Sequence, residues 1–321
     1  MRIKGKYVYV YDIEVFCNCF HCLVKKVGTD KYFYFEISER KNNLNELIDF
    51  FLNVDKKCIC GYNNIHYDNP IINFILENQN KFLSQHYIQT CQDIFNLSQL
   101  IINSDSSIAW SKWKYATQFD TLDLLTMLFS EKLRVGLKEM QVTMQFHNVQ
   151  EYDGDFTKPI NKDEIDSMIK YNKNDVDSTE ELLNRCVDLI KLRLDIQKEF
   201  NVDVLSKDGM SIGNEILKLK YLEASGKTWK EIKDLRSPCD QIALKDVILS
   251  FIKYDTPILQ QLLDEMKQQT VSPGRKGYEK HFLLDNVEIT VGVGGIHSRN
   301  DPEIIIPKEN EVLLDSDVAL A

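Results

Sequence analysis

The stretch Lys6-Tyr7-Val8-Tyr9-Val10-Tyr11-Asp12-Ile13-Glu14 limits what this chain can fold into more than any other. Aromatic and β-branched residues crowd it, and neither glycine nor proline interrupts it, so it reads as a strand running straight into two acids. Side chains alternate between the two faces of a strand. Asp12 and Glu14, two apart, therefore share a face, and both carboxylates can aim at one spot.

The surrounding pattern extends this strand into a sheet. Phe20–Val27 and Lys31–Ile37 read as further strands. Asn43–Asn53 carries Leu44, Leu47, Ile48, Phe51 and Leu52 at helical spacing, and Lys57–Tyr62 reads as a short buried strand ending in a polar loop. Pro70 suits the first turn of a helix over Ile71–Leu76. A second helix is expected near Asp93–Ile102, then a loop or hairpin over Ser104–Thr117, an apolar segment Phe119–Phe129 and a helix over Gly136–Gln145. Asn161, with Glu164 three residues on, resembles a capping box, and helical spacing then runs from Ile165 to Ile190. Strands first, then alternating strands and helices, indicate an α/β protein with a mixed sheet flanked by helices. The character changes near residue 200. We expect one domain over 1–200 and a smaller, mostly helical region over 201–321, with terminal strands at Val287–Ile296 and Glu311–Leu314.

With 321 residues, 43% hydrophobic and 27% charged, the chain can bury a substantial core. No run approaches the roughly 18 apolar residues of a membrane span, and Met1–Lys6 leads into a strand rather than an apolar signal segment, so a cytoplasmic protein without membrane attachment is expected. Eight cysteines are too dilute for a stapled secreted scaffold. Cys17, Cys19 and Cys22, with Cys58 and Cys60, have ligand types suited to zinc, but paired Cys-x-x-Cys knuckles are missing; small apolar side chains sharing a strand face are the better reading. The net charge of −10, from 39 basic and 49 acidic residues, argues against tight, extended duplex binding. It argues less against trimming of ends, because a metal site concentrates carboxylates and its ions reverse the local sign.

Three acidic patches carry the chemistry: Tyr11-Asp12-Ile13-Glu14, Asn64-Ile65-His66-Tyr67-Asp68 and Tyr171-Asn172-Lys173-Asn174-Asp175. Taken singly, each has an ordinary explanation as a strand edge, a turn or a helix face. Together they supply four carboxylates and a phenol. Tyr171 and Asp175, four apart, fall on the same side of a helix. Hydrolysing a phosphodiester needs a hydroxide near neutral pH and charge relief at phosphorus and leaving oxygen, which two divalent cations roughly 4 Å apart provide. Magnesium and manganese prefer oxygen ligands, so Asp12, Glu14, Asp68 and Asp175 are candidate ligands for two Mg2+ or Mn2+ ions. Four clustered carboxylates repel one another without cations, so the arrangement itself implies a metal requirement.

In this order and spacing, the patches resemble the proofreading 3′-to-5′ exonuclease domain of replicative DNA polymerases, in the DEDD superfamily with a ribonuclease-H-like fold. Tyr171, with no histidine five residues before Asp175, is similar to the tyrosine subtype. The resemblance implies that Asp12, Glu14 and Asp175 hold the metal that activates water, Asp12 bridges to a second metal, and Asp68 supports that second site. It also implies that Asn64 contacts the terminal nucleotide and Tyr171 positions the nucleophile; His66, within the second patch, is a candidate substrate contact. Gly61–Pro70, Gly136–Gln141, Asn174–Thr179 and Gly292–Ser298 together resemble bacteriophage DNA polymerases of the family B type. Phe119-Asp120-Thr121-Leu122-Asp123 is similar to a stretch found after the second motif, with its acids structural. Leu314-Asp315-Ser316-Asp317-Val318-Ala319 resembles the start of the first polymerase motif, and no nucleotide addition is expected from this chain alone.

The expected activity is therefore a metal-dependent exonuclease on single-stranded DNA or DNA 3′ ends, with a separate polymerase subunit or fragment as a further partner. The rivals are the same site acting on RNA ends and a non-catalytic module that binds DNA or a polymerase. Among weaker signals, Trp110–Tyr115 interleaves aromatics and lysines as a stacking platform would, although a hairpin packed on the core explains it better. Arg275, Lys276 and Lys280 could touch phosphate, but short basic loops are usually solvated.

Overall fold

A computed structural model of the protein describes every residue except 54–56, 104–118, 130–134, 234, 236–239, 273–277, 285–286, 293–294, 299–305 and 313–321. The chain forms two compact units, Met1–Gly226 and Lys227–Ala321.

The first unit is an α/β structure around a six-stranded mixed sheet. Its strands are β1 (Arg2–Ile3), β2 (Lys6–Phe16), β3 (Cys19–Lys26), β4 (Tyr32–Ile37), β5 (Lys57–Gly61) and β6 (Asp120–Asp123), in the order β4-β3-β2-β5-β6 with β1 on the margin of β2. β2, β3 and β4 are antiparallel, whereas β5 and β6 run parallel to β2. The helices are α1 (Leu44–Leu52), α2 (Asp68–Glu77), α3 (Gln79–Ser84), α4 (Tyr87–Asn103), α5 (Leu124–Leu128), α6 (Leu137–Thr143), α7 (Ile165–Arg185), α8 (Val187–Phe200) and α9 (Gly209–Ser225).

The two faces of β2 belong to two cores. Tyr9, Tyr11, Ile13 and Val15 pack against apolar residues of α1, α2 and α4, including Leu47, Phe51, Ile72 and Ile94. Val8 and Val10, on the opposite face, pack with Val176, Leu182 and Leu183 of α7 and with Cys58, Cys60 and Leu122. Phe16 closes that second face in a small cluster with Ile165 and Met168. Asp12 and Glu14 stand on the α7 face between Val10 and Phe16, so the fold places two acids, one buried and one half-buried, where the pattern of the strand would place apolar residues. Parallel pairing with β5 ends at Val10↔Cys60. Past that register the two strands part, and open α/β sheets bind ligands beyond the carboxyl ends of their parallel strands.

Several boundaries differ from those expected. Asp68 is the first residue of α2 rather than part of a loop, and Pro70 is its third residue; the first helical amides have no partner within the helix, so proline is tolerated throughout the opening turn. The long helix expected from Ile165 breaks at Cys186 into α7 and α8. The Ser104–Thr117 segment and its aromatic–lysine stretch lie outside the described residues, as does Leu314–Ala321. α9, beyond the change of character near residue 200, belongs to the first unit.

The second unit contains α10 (Trp229–Ile232), α11 (Leu244–Val247) and α12 (Pro257–Lys267), with strands β7 (Ile242–Ala243), β8 (Thr270–Val271), β9 (Glu279–Leu284), β10 (Val287–Gly292) and β11 (Gly295–Ser298). These strands form an antiparallel pair, β7–β8, and an antiparallel sheet in the order β11-β10-β9. Glu311 and Val312 are not in a strand. Lys280 forms an ion pair with Glu265, and Arg275 and Lys276 lie outside the described residues.

Candidate active site

The three acidic patches meet. Asp12, Glu14, His66, Asp68, Tyr171 and Asp175 all line one cleft of about 1030 Å3 at the carboxyl end of β2. β2 supplies Asp12 and Glu14. The segment joining β5 to α2 supplies His66 and Asp68. On α7, Tyr171 and Asp175 are one turn apart and face the same way.

The cleft is costly for its acids. Glu14, Asp68 and Asp175 are buried and Asp12 is half-buried. Burial, reinforced by the charges of Asp68, Glu14 and Asp175, raises the Asp12 carboxyl well above the ordinary range. Burial and then Asp175 raise Glu14 to about 8, against a hydrogen bond from Asn172. Burial also raises Asp68 to about 7, although backbone amides pull it down. Tyr171's hydroxyl is raised by burial first and by the Asp175 charge second, so the phenol keeps its proton.

Three residues not singled out from sequence hold these acids. Lys138 of α6 pairs its ammonium group with the Asp175 carboxylate and stands 4.4 Å from the centre of the Tyr171 ring. Gln141, one turn further along, donates to Asp175 Oδ1 at 3.0 Å. Lys138 lies in Gly136–Gln141, a stretch that carries part of the family resemblance, which is the signal that could have drawn attention to it. Asn172 of α7 donates to Asp12 Oδ2 at 2.5 Å and to Glu14 Oε1 at 3.3 Å.

Asn64 does not line the cleft. It is fully buried beneath it, where its amide donates to Thr121 Oγ1 at 2.9 Å beside Asn69. Tyr11 donates to Asn69 Oδ1 at 2.6 Å in the same network. Gly61 permits the packing: a Cβ there would come within 2.7 Å of Asn64 Cβ. The segment is fastened by Asp123, whose carboxylate accepts from the backbone amides of Asn63 at 3.0 Å and Ile65 at 2.9 Å.

For a hard divalent cation the donor set is suitable: carboxylates converge on one cleft, and Asp68 Oδ1 is buried with no hydrogen-bond partner. Among the described residues, no three His, Cys, Asp or Glu side chains stand close enough together to close around an ion. Cys19, Cys22, Cys58, Cys60, Cys91 and Cys186 are buried, and burial pushes the thiols up, to about 12 at Cys58 and Cys91.

The chain matches no protein-family model, no curated protein and no solved structure. No helix among the described residues is long and apolar enough to cross a membrane.

Proposed function

We propose that the protein is a metal-dependent 3′-to-5′ exonuclease on a ribonuclease-H-like fold, trimming single-stranded or frayed DNA ends to nucleoside monophosphates as in polymerase proofreading. One observation carries the reading: four acids and a tyrosine, from segments as far apart as Asp12 and Asp175, line a single cleft.

Asp12, Glu14 and Asp175 would hold the ion that activates water, and Asp68, with its unpartnered Oδ1, would support a second. Bound Mg2+ or Mn2+ would supply a hydroxide near neutral pH and neutralise charge at the scissile phosphate. The protein's own groups do the rest. Tyr171 retains its proton, so it orients a water by hydrogen bonding and is not a general base. Lys138 stands against both Tyr171 and Asp175 and sets their relative position. His66 lines the cleft, where an incoming nucleotide would meet it.

The test is to incubate 5′-labelled single-stranded DNA and RNA with Mg2+ or Mn2+, with chelator and Asp12→Ala controls. A ladder shortening from the 3′ end is expected, abolished by chelator and slowed roughly a thousandfold by the substitution, equivalent to about 4 kcal/mol. Faster loss of DNA than RNA is expected. No metal-dependent shortening of either substrate would sink the reading in favour of a binding module.

A further inference from the structure

Asn172 lies between the two acids of β2. It is fully buried, one residue after Tyr171 and three before Asp175 on α7. Its amide nitrogen faces Asp12 and Glu14, and its carbonyl Oδ1 lies 3.2 Å from His21 Nδ1. A primary amide has two donors at one end and an acceptor at the other. With the donor end on carboxylates, the acceptor end requires a donor, and His21 supplies one only if Nδ1 carries the proton. His21 Nε2 is buried without a partner, which agrees with a bare lone pair there. Burial lowers the ring pKa to about 4, so the imidazole is neutral.

The sheet fixes this donor in place. His21 is the cross-strand partner of Glu14 in the β2–β3 pair, and paired side chains lie on the same face. His21, Asn172 and the two acids thus form a chain of hydrogen bonds from β3 through α7 back to β2. The amide engages one oxygen of each carboxylate, leaving Asp12 Oδ1 and Glu14 Oε2 outside the contact.

We propose that Asn172 is a positioning residue that locks Asp12 and Glu14 in one pair of rotamers, and that His21 sets the direction of its amide. The hydrogen-bond part stands on geometry alone; the metal-binding consequence rests on the nuclease reading. Partners that orient metal ligands typically affect affinity or activity by about 10- to 100-fold. Because His21 acts through Asn172, its effect vanishes once the amide is gone.

Two readouts separate the parts. In 15N-labelled protein, the Asn172 side-chain amide signals, assigned by their loss in Asn172→Ala, are expected to be well separated and slow to exchange. His21→Phe should shift or collapse them, and His21→Gln, which restores a donor, should recover them. Mn2+ affinity, followed by electron paramagnetic resonance, should fall roughly 10- to 100-fold in Asn172→Ala and in His21→Phe. It should fall no further in the double variant. Should Asn172→Ala fail to fold, selective asparagine labelling assigns the signals and the Phe–Gln pair at position 21 carries the test. Amide signals indifferent to His21→Phe, or additive losses in the double variant, would overturn the proposal. Responsive amide signals in a protein that binds no Mn2+ would support the clamp and count against the nuclease reading.

Discussion

At the scale of single residues, the cleft places acids where ionisation is opposed. Glu14 is raised to about 8 and Asp68 to about 7, each by burial first, against ordinary values near 4. A carboxyl with a raised folded-state pKa binds more protons folded than unfolded. Its stabilising contribution is complete below about pH 4 and is lost as pH rises towards the folded value. In chelator, the melting temperature should therefore fall between about pH 5 and pH 8, and Glu14→Gln should flatten the slope. Adding Mn2+ at the upper pH should raise the melting temperature again, because a ligand bound only to the folded state stabilises it. A melting temperature that climbs across this window in chelator would contradict the assignment. Lys138 gives a second expectation at this scale. Lys138→Met keeps the aliphatic stem and removes the charge that pairs with Asp175, so single-turnover cleavage should slow roughly 10- to 100-fold. An unchanged rate would show that the lysine has no part in the proposed reaction.

At the scale of elements, the segment between β5 and α2 has little regular structure of its own, and Asp123 holds it. Besides Asn63 and Ile65, this buried carboxylate accepts from the amides of Leu125 and Thr126, so it caps α5 and fastens the segment bearing His66 and Asp68. Hydrogen bonds to a charged group contribute about 1.5–3 kcal/mol each. Asp123→Ala should thus destabilise the fold by at least about 3 kcal/mol in urea melts, and Asp123→Asn, which keeps one acceptor oxygen, by less. Equal stability of both variants and the native protein would remove Asp123 from this role. The same elements show what sequence reveals. β2 is legible because the aromatic and β-branched run from Tyr7 to Tyr11 points to a strand, and the spacing of Tyr171 and Asp175 on α7 is legible because helical period alone fixes it. The start of α2 at Asp68 was masked by the turn-forming residues before it and by Pro70. The burial of Asn64 is not legible locally, because its amide is held by Thr121, far along the chain. Lys138 and Asn172 touch the acids only after α6 and α7 dock on the sheet, and no local pattern encodes that docking.

At the scale of the whole chain, the change of character near residue 200 does not coincide with the end of the site's support. Val204 and Leu205 are buried, and Leu205 belongs to the core that contains Val8, Val10 and Val176. Arg193 of α8, itself buried, donates to the backbone carbonyls of Lys207 and Met127, tying the segment after α8 to α5. Ser206 Oγ accepts at 3.1 Å from the backbone amide of Asp123, the residue whose carboxylate fastens the His66–Asp68 segment. Support for the cleft therefore runs from β2 to the segment before α9. A fragment of residues 1–226 should fold by itself and keep the cleft intact. A fragment of 1–200 loses Val204, Leu205, Ser206 and Lys207 together. Burying two aliphatic side chains contributes about 3–6 kcal/mol, a large share of the roughly 5–15 kcal/mol that holds a domain folded. In urea melts the shorter fragment should show a loss of that order, or no cooperative transition, with weaker Mn2+ binding than the longer one. Equal midpoints for the two fragments would mean that residues 201–226 pack on the domain without supporting its site.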